Sequence, residues 1–86
     1  MQAQALIQQK VCEVKHKLKM CEKTLQYWEG VEIELKNQYG NNPLPYQIQH
    51  IKKVKQYKKN KKSEVLYWSN ELNILLNKQE TILTFG

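Results

Sequence analysis

Apolar residues in the first half of the chain recur at alternating intervals of four and three: Ile7, Val11, Val14, Leu18, Cys21, Leu25, Trp28, then Leu35 and Tyr39. This spacing is a heptad ladder. It predicts a long helix with one narrow apolar stripe, which another helix must cover. A second ladder, Ile51, Val54, Val65, Trp68, Leu72, Leu75 and Ile82, follows the segment Gly40-Asn41-Asn42-Pro43-Leu44-Pro45. Gly40 suits a helix C-cap, Asn41 to Pro43 supply turn chemistry, and Pro45 suits the first turn of the next helix. The pattern predicts one domain over residues 1–86: a helix over 4–39, a turn over 40–45 and a helix over 45–83.

Both ladders are interrupted. With Val11 at heptad position a, Leu18 and Leu25 also fall at a, and Glu32 takes the next a position. Gly30 costs about 1 kcal/mol inside a helix and leaves room for a kink or local unwinding there, though helix is preferred throughout. Val31-Glu32-Ile33-Glu34-Leu35 alternates with the period of a strand, but a lone strand would find no partner in this chain. With Ile51 at a and Val54 at d, Lys58 and Lys61 fall on core positions of the second helix. A short connection makes the helices antiparallel, so residues whose numbers sum to about 84 lie at one height. Glu22 and Glu29 are then level with Lys62 and Lys55 and placed to pair with them, at about 0.2–1 kcal/mol per exposed pair. Trp28 and Trp68, both at d, lie at different heights and do not stack on each other. Their bulk suits a wide bundle. Tyr27 and Tyr67 lie beside the stripe, where they are placed to line a partner surface.

Two helices of about 35 residues are each about 50 Å long and enclose no interior. A hairpin of this kind buries one stripe per helix, which rarely suffices for a solitary chain. The fold expected is therefore all-α, an antiparallel two-helix coiled-coil hairpin that assembles into a four-helix bundle, with itself or with a helical partner. The residues expected at the association faces are Val11, Val14, Leu18, Leu25, Trp28, Val65, Trp68, Leu72 and Leu75.

Charge adds one further feature. The net charge is +6, and all 14 cations are lysine. Lysine is a hydrated point charge, whereas arginine grips phosphate and reads base edges with a planar fork. Seven of the 11 residues from Lys52 to Lys62 are lysine: Lys52, Lys53, Lys55, Lys58, Lys59, Lys61 and Lys62. Such a run attracts anions and loosens their counterions, and Tyr57 within it offers a stacking surface. The partner expected is an acidic protein surface or, alternatively, nucleic acid held by charge and shape.

Other chemistry is sparse. Cys12 and Cys21 lie about 13 Å apart along a helix, too far for a bridge. Cys21 occupies a core position and Cys12 lies off the stripe. Cys12 and His16 share a face but make only half a zinc site, and no CxxC or HxxxH occurs. No Asp is present, the only serines are Ser63 and Ser69, and the three glycines are separated. Neither an acid–base constellation nor a phosphate loop can be assembled. No catalytic, cofactor or metal site is therefore expected. Met1 to Lys10 lack an apolar block, and no run of apolar residues reaches membrane-spanning length, so a cytoplasmic location is expected.

Leu25-Gln26-Tyr27-Trp28 is echoed by Val65-Leu66-Tyr67-Trp68, as in two similar helices. Trp28-Glu29-Gly30 and the pair Tyr67 and Glu71 resemble the Trp-x-Gly and Tyr-x-x-x-Glu signatures of small helical hairpins secreted by type VII systems. In that family the triplet sits in the turn, whereas here it precedes Gly40 by more than two helical turns. The chain is also similar in outline to needle-type secretion subunits with a proline-marked turn. These resemblances imply an exported hairpin as a third role. The pattern itself points first to a non-enzymatic interaction module: a small adaptor, chaperone or assembly subunit with a lysine-rich face.

Overall fold

The computed structural model of the chain describes residues 2–85, with side chains over 4–81. Helix α1 spans Gln2–Tyr39 and helix α2 spans Pro45–Phe85. They pack side by side as an antiparallel hairpin 62 Å long and 14 Å across. The length matches 41 residues in one helix at about 1.5 Å each. The expected helices and turn are present. α1 begins two residues before, and α2 ends two residues after, the positions expected.

The turn is built from local chemistry. Gly40 takes a positive φ of 71°, and its amide donates to the Lys36 carbonyl at 3.1 Å. That closes α1 with a left-handed residue, a conformation a β-carbon disfavours. Leu44 caps α2. Its carbonyl accepts from the Ile48 amide at 3.0 Å, while its own amide donates to the Gln47 side-chain oxygen at 2.8 Å. Gln47 thus supplies the reciprocal half of a capping box, with Pro45 in the first turn where no amide is needed.

Cross-helix contacts fix the register. Lys17 lies over the Trp68 ring, Cys21 reaches Glu64, and Trp28 meets Tyr57. Steps of four and seven along α1 are matched by the same steps back along α2, as antiparallel helices in steady register require. The tryptophans take different partners, as expected from their heights. Each also meets its preceding tyrosine edge to face, Tyr27 with Trp28 at 5.1 Å and Tyr67 with Trp68 at 4.9 Å. Among the described residues, the buried apolar side chains are Val11, Val14, Leu35 and Val54. Leu18, Leu25, Trp28, Val65, Trp68, Leu72 and Leu75 are half-buried in the same seam. Ile82 lies outside the described side chains.

Two possibilities raised by the sequence are not realised. α1 runs through Gly30 without a break. The helix tolerates the glycine because its hydrogen-bond ladder and half-buried neighbours on both sides outweigh a local entropy term. The pairs Glu22–Lys62 and Glu29–Lys55, which the register allows, do not form. Ion pairs among the described residues run instead from Glu32 to Lys36 and Lys58, and from Glu64 to Lys61. Glu22, Glu29, Lys55 and Lys62 are exposed and keep their hydration, which an exposed pair barely repays.

A β-carbon on Gly30 meets nothing within 4 Å, and Gly40 alone has the positive φ. Gly30→Ala should therefore raise stability by about 0.5–1 kcal/mol. Gly40→Ala should lower it by about 1 kcal/mol, the cost of a left-handed non-glycine residue. Urea midpoints of the two variants check the opposite signs.

Candidate interaction surfaces

The two interruptions of the ladders meet each other. Lys58 donates to Glu32 Oε2 at 2.6 Å, and Lys36 lies 3.6 Å from Oε1. The Glu32 side chain is 8% exposed and that of Lys58 23%. A helical side chain leans toward its own N-terminus. Lys58 therefore reaches toward the turn, and Glu32 leans away from it to meet the ammonium. The hydrogen bond from Lys58 holds the Glu32 carboxyl below its ordinary value, against burial, with the charges of Lys58 and Lys36 helping. The same bond raises Lys58. Lys61, the other lysine on a core position, donates to Glu64 Oε2 at 2.7 Å. Glu64 is lowered mainly by that bond. Among the described residues, no buried side-chain nitrogen or oxygen lacks a partner. Sequence reasoning placed Glu32, Lys58 and Lys61 on the seam but did not join Glu32 to Lys58. Glu32 is level with residue 53, so Lys58 stands about five residues farther from the turn, and only the lean of the two side chains brings the charges together.

The seam divides the surface into two flanks. His50, Tyr57 and Glu64 stand a heptad apart on α2 and touch Tyr39, Trp28 and Cys21 of α1. These contacts define one flank, on which Tyr27 and Tyr67 also fall by heptad position. Leu6, Met20 and Ile74 share that position, and all six apolar side chains named on this flank (Tyr27, Tyr57, Tyr67, Leu6, Met20, Ile74) are exposed. Tyr57, expected as a stacking platform within the lysine run, leans on Trp28 with ring centres 4.9 Å apart and stays exposed. Lys53 also falls on this aromatic flank.

The opposite flank carries Lys52, Lys55, Lys59 and Lys62. Their spacing of three, four and three aligns them in one row along α2. All four are exposed, and none forms an ion pair among the described residues. The seven lysines of the run are therefore split. Lys58 and Lys61 are tied to glutamates at the seam, Lys53 faces the aromatic side, and four remain as a solvent-facing row.

Charge is divided equally unevenly. By heptad position the aromatic flank holds Lys10, Lys17, Lys53 and Lys78 against Glu13, Glu34, Glu64 and Glu71, and so balances to zero. The row flank adds Lys15, Lys19 and Lys36 to its four lysines, against Glu22, Glu29 and Glu80, and is strongly positive.

Little else is assembled. An open groove of 470 Å³ near the free end of the hairpin is lined by Ile7, Ile74, Asn77, Lys78 and Thr81. Among the described residues, no three His, Cys, Asp or Glu side chains converge as metal ligands. No helix there is long and apolar enough to cross a membrane. His16 is exposed, and His50 shares a 2.8 Å hydrogen bond with the Tyr39 hydroxyl. Trp28-Glu29-Gly30 lies within α1, away from the turn where the type VII hairpins carry their triplet. Both thiols are free. Cys21 is half-buried and donates to Glu64 at 3.6 Å; burial, then that bond, raise its pKa.

Two outcomes follow. Glu32 ionises in the folded chain below its ordinary 4.5. Its contribution to stability is thus complete above that value and lost as pH falls through the lowered one. Urea midpoints taken between about pH 6 and pH 3 should fall less steeply for Glu32→Gln than for the parent, with Glu64 keeping a residual slope in both. Iodoacetamide at neutral pH should alkylate exposed Cys12 before Cys21, because the thiolate is the reacting form. Peptide mass mapping at short times reads the order. Comparison of the chain with protein-family models, with curated proteins and with solved structures finds no match.

Proposed function

We propose that this chain is a non-enzymatic association module, a small adaptor, chaperone or assembly subunit that presents a lysine row to an acidic protein partner. The observation that carries the reading is the segregation of its surface. Lys52, Lys55, Lys59 and Lys62 stand together without carboxylate partners on one flank, beside exposed Ile33 and Leu66, while Tyr27, Tyr57 and Tyr67 stand on the other. A solvated helix needs no such sorting. Unpaired cations in a row raise the local potential and steer an acidic surface onto it.

An acidic protein fits better than nucleic acid. Single strands are held where bases stack beside a cationic track. Here Tyr57 lies on the flank away from the lysine row, with its ring leaning on Trp28. The absence of arginine removes the side chain best suited to phosphate.

Titration of the full chain with polyglutamate and with oligothymidylate at about 50 mM salt separates the two. Polyglutamate should bind, and more tightly than oligothymidylate. A variant carrying Lys52→Gln, Lys55→Gln, Lys59→Gln and Lys62→Gln should bind it about tenfold more weakly, with a shallower salt dependence. Tighter binding of oligothymidylate, weakened by Tyr57→Leu, transfers the site to nucleic acid. Binding of neither polymer removes the lysine row as a docking face.

A further inference from the structure

We infer that the aromatic flank is where a second copy of this chain docks, so that two hairpins pack flank to flank as a four-helix bundle. This rests on reading the chain as an association module, and it specifies which surface associates and with what. The heptad seam is not that surface. Val11, Val14 and Val54 are already buried within one hairpin, and Leu18, Leu25, Trp28, Val65, Trp68, Leu72 and Leu75 are partly covered by it.

The flank carries its own stripe. In the observed register, Leu6, Ile74, Tyr67, Met20, Tyr27 and Tyr57 follow one another along the hairpin, three from each helix. The stripe runs for about 33 Å, some 22 residues of helix. Its tyrosines combine a large apolar body with a polar tip, the combination enriched where proteins meet.

Two quantities select a second copy as the occupant. The hairpin exposes 6755 Å². A compact monomer of 10.3 kDa exposes about 5,400 Å², so about 1,400 Å² is in excess. Covering that excess on each of two chains makes an interface of about 2,800 Å², within the range of obligate homodimers. Charge then decides the face. Two chains of +6 repel, and the row flank would set lysine against lysine. The aromatic flank balances four lysines against four glutamates, so a two-fold axis there opposes no net charge. The resulting bundle leaves both lysine rows on its outer edges, open to the acidic partner.

Sedimentation equilibrium on the full chain tests the inference, with far-ultraviolet circular dichroism to check the fold. The parent should be a dimer at micromolar concentration. Tyr27→Lys with Tyr67→Lys should weaken dimerisation at least tenfold and keep the helicity. Leu66→Lys, on the other flank and at 64% exposure, should leave the dimer intact. If the tyrosine variant loses helicity, nitration of the parent supplies the answer. Tyr27 and Tyr67 should be protected at high concentration and modified on dilution. A monomeric parent, dissociation by Leu66→Lys alone, or tyrosines nitrated equally at both concentrations overturns the inference. A monomer that still binds polyglutamate leaves the lysine-row reading standing.

Discussion

Glu32 and Lys58 hold the hairpin in one register. A slip of one heptad would set Glu32 against Ile51 or Val65, and Lys58 against Leu25 or Tyr39. Either slip removes each charge from its partner and leaves it on an apolar neighbour inside the seam. Breaking such a pair is costly even where the pair itself adds little to stability, because an unpartnered charge out of water is the alternative. The valines and leucines along the seam have no comparable preference, since heptad-related positions offer them similar surfaces. The aromatic contacts follow from the same register. Trp28 finds Tyr57 and Trp68 finds Lys17 only when Glu32 is near Lys58.

The thinness of the fold governs the rest. Two helices can cover one stripe each, and four apolar side chains among those described are fully buried. Helices of this length therefore keep broad surfaces that the hairpin has no means to hide. Such a surface can be sorted, and here it is: aromatic groups and balanced charge on one side, cations on the other. Under the proposed reading, sorting of this kind gives the rod two separate ways to associate. One is driven by removal of apolar area from water and the other by Coulomb attraction that salt weakens.

The interruptions in the ladders show what a pattern of apolar residues leaves unsaid. Taken one helix at a time, Glu32 is a fault in α1, and Lys58 and Lys61 are faults in α2. Brought together, Glu32 and Lys58 are the most specific contact in the seam, and Lys61 joins Glu64 beside Cys21. Gly30 was legible as a weak point within a helix expected over 4–39, and the helix runs through it unbroken. Gln47 carried a readable signal, three residues after the capping position, yet it stands behind two prolines that dominate the turn.

By itself the sequence determined two long helices, their apolar stripes, the position of the turn and the antiparallel arrangement, because periodicity, Gly40 and Pro45 act through local geometry. It also determined that lysine is dense between residues 52 and 62. Only the tertiary structure decided which lysines are tied to glutamate and which stand free, that Tyr57 belongs to Trp28, and that aromatic and basic groups occupy opposite flanks. Those outcomes depend on the rotation and height of one helix against the other, set by side chains more than twenty residues apart in the chain.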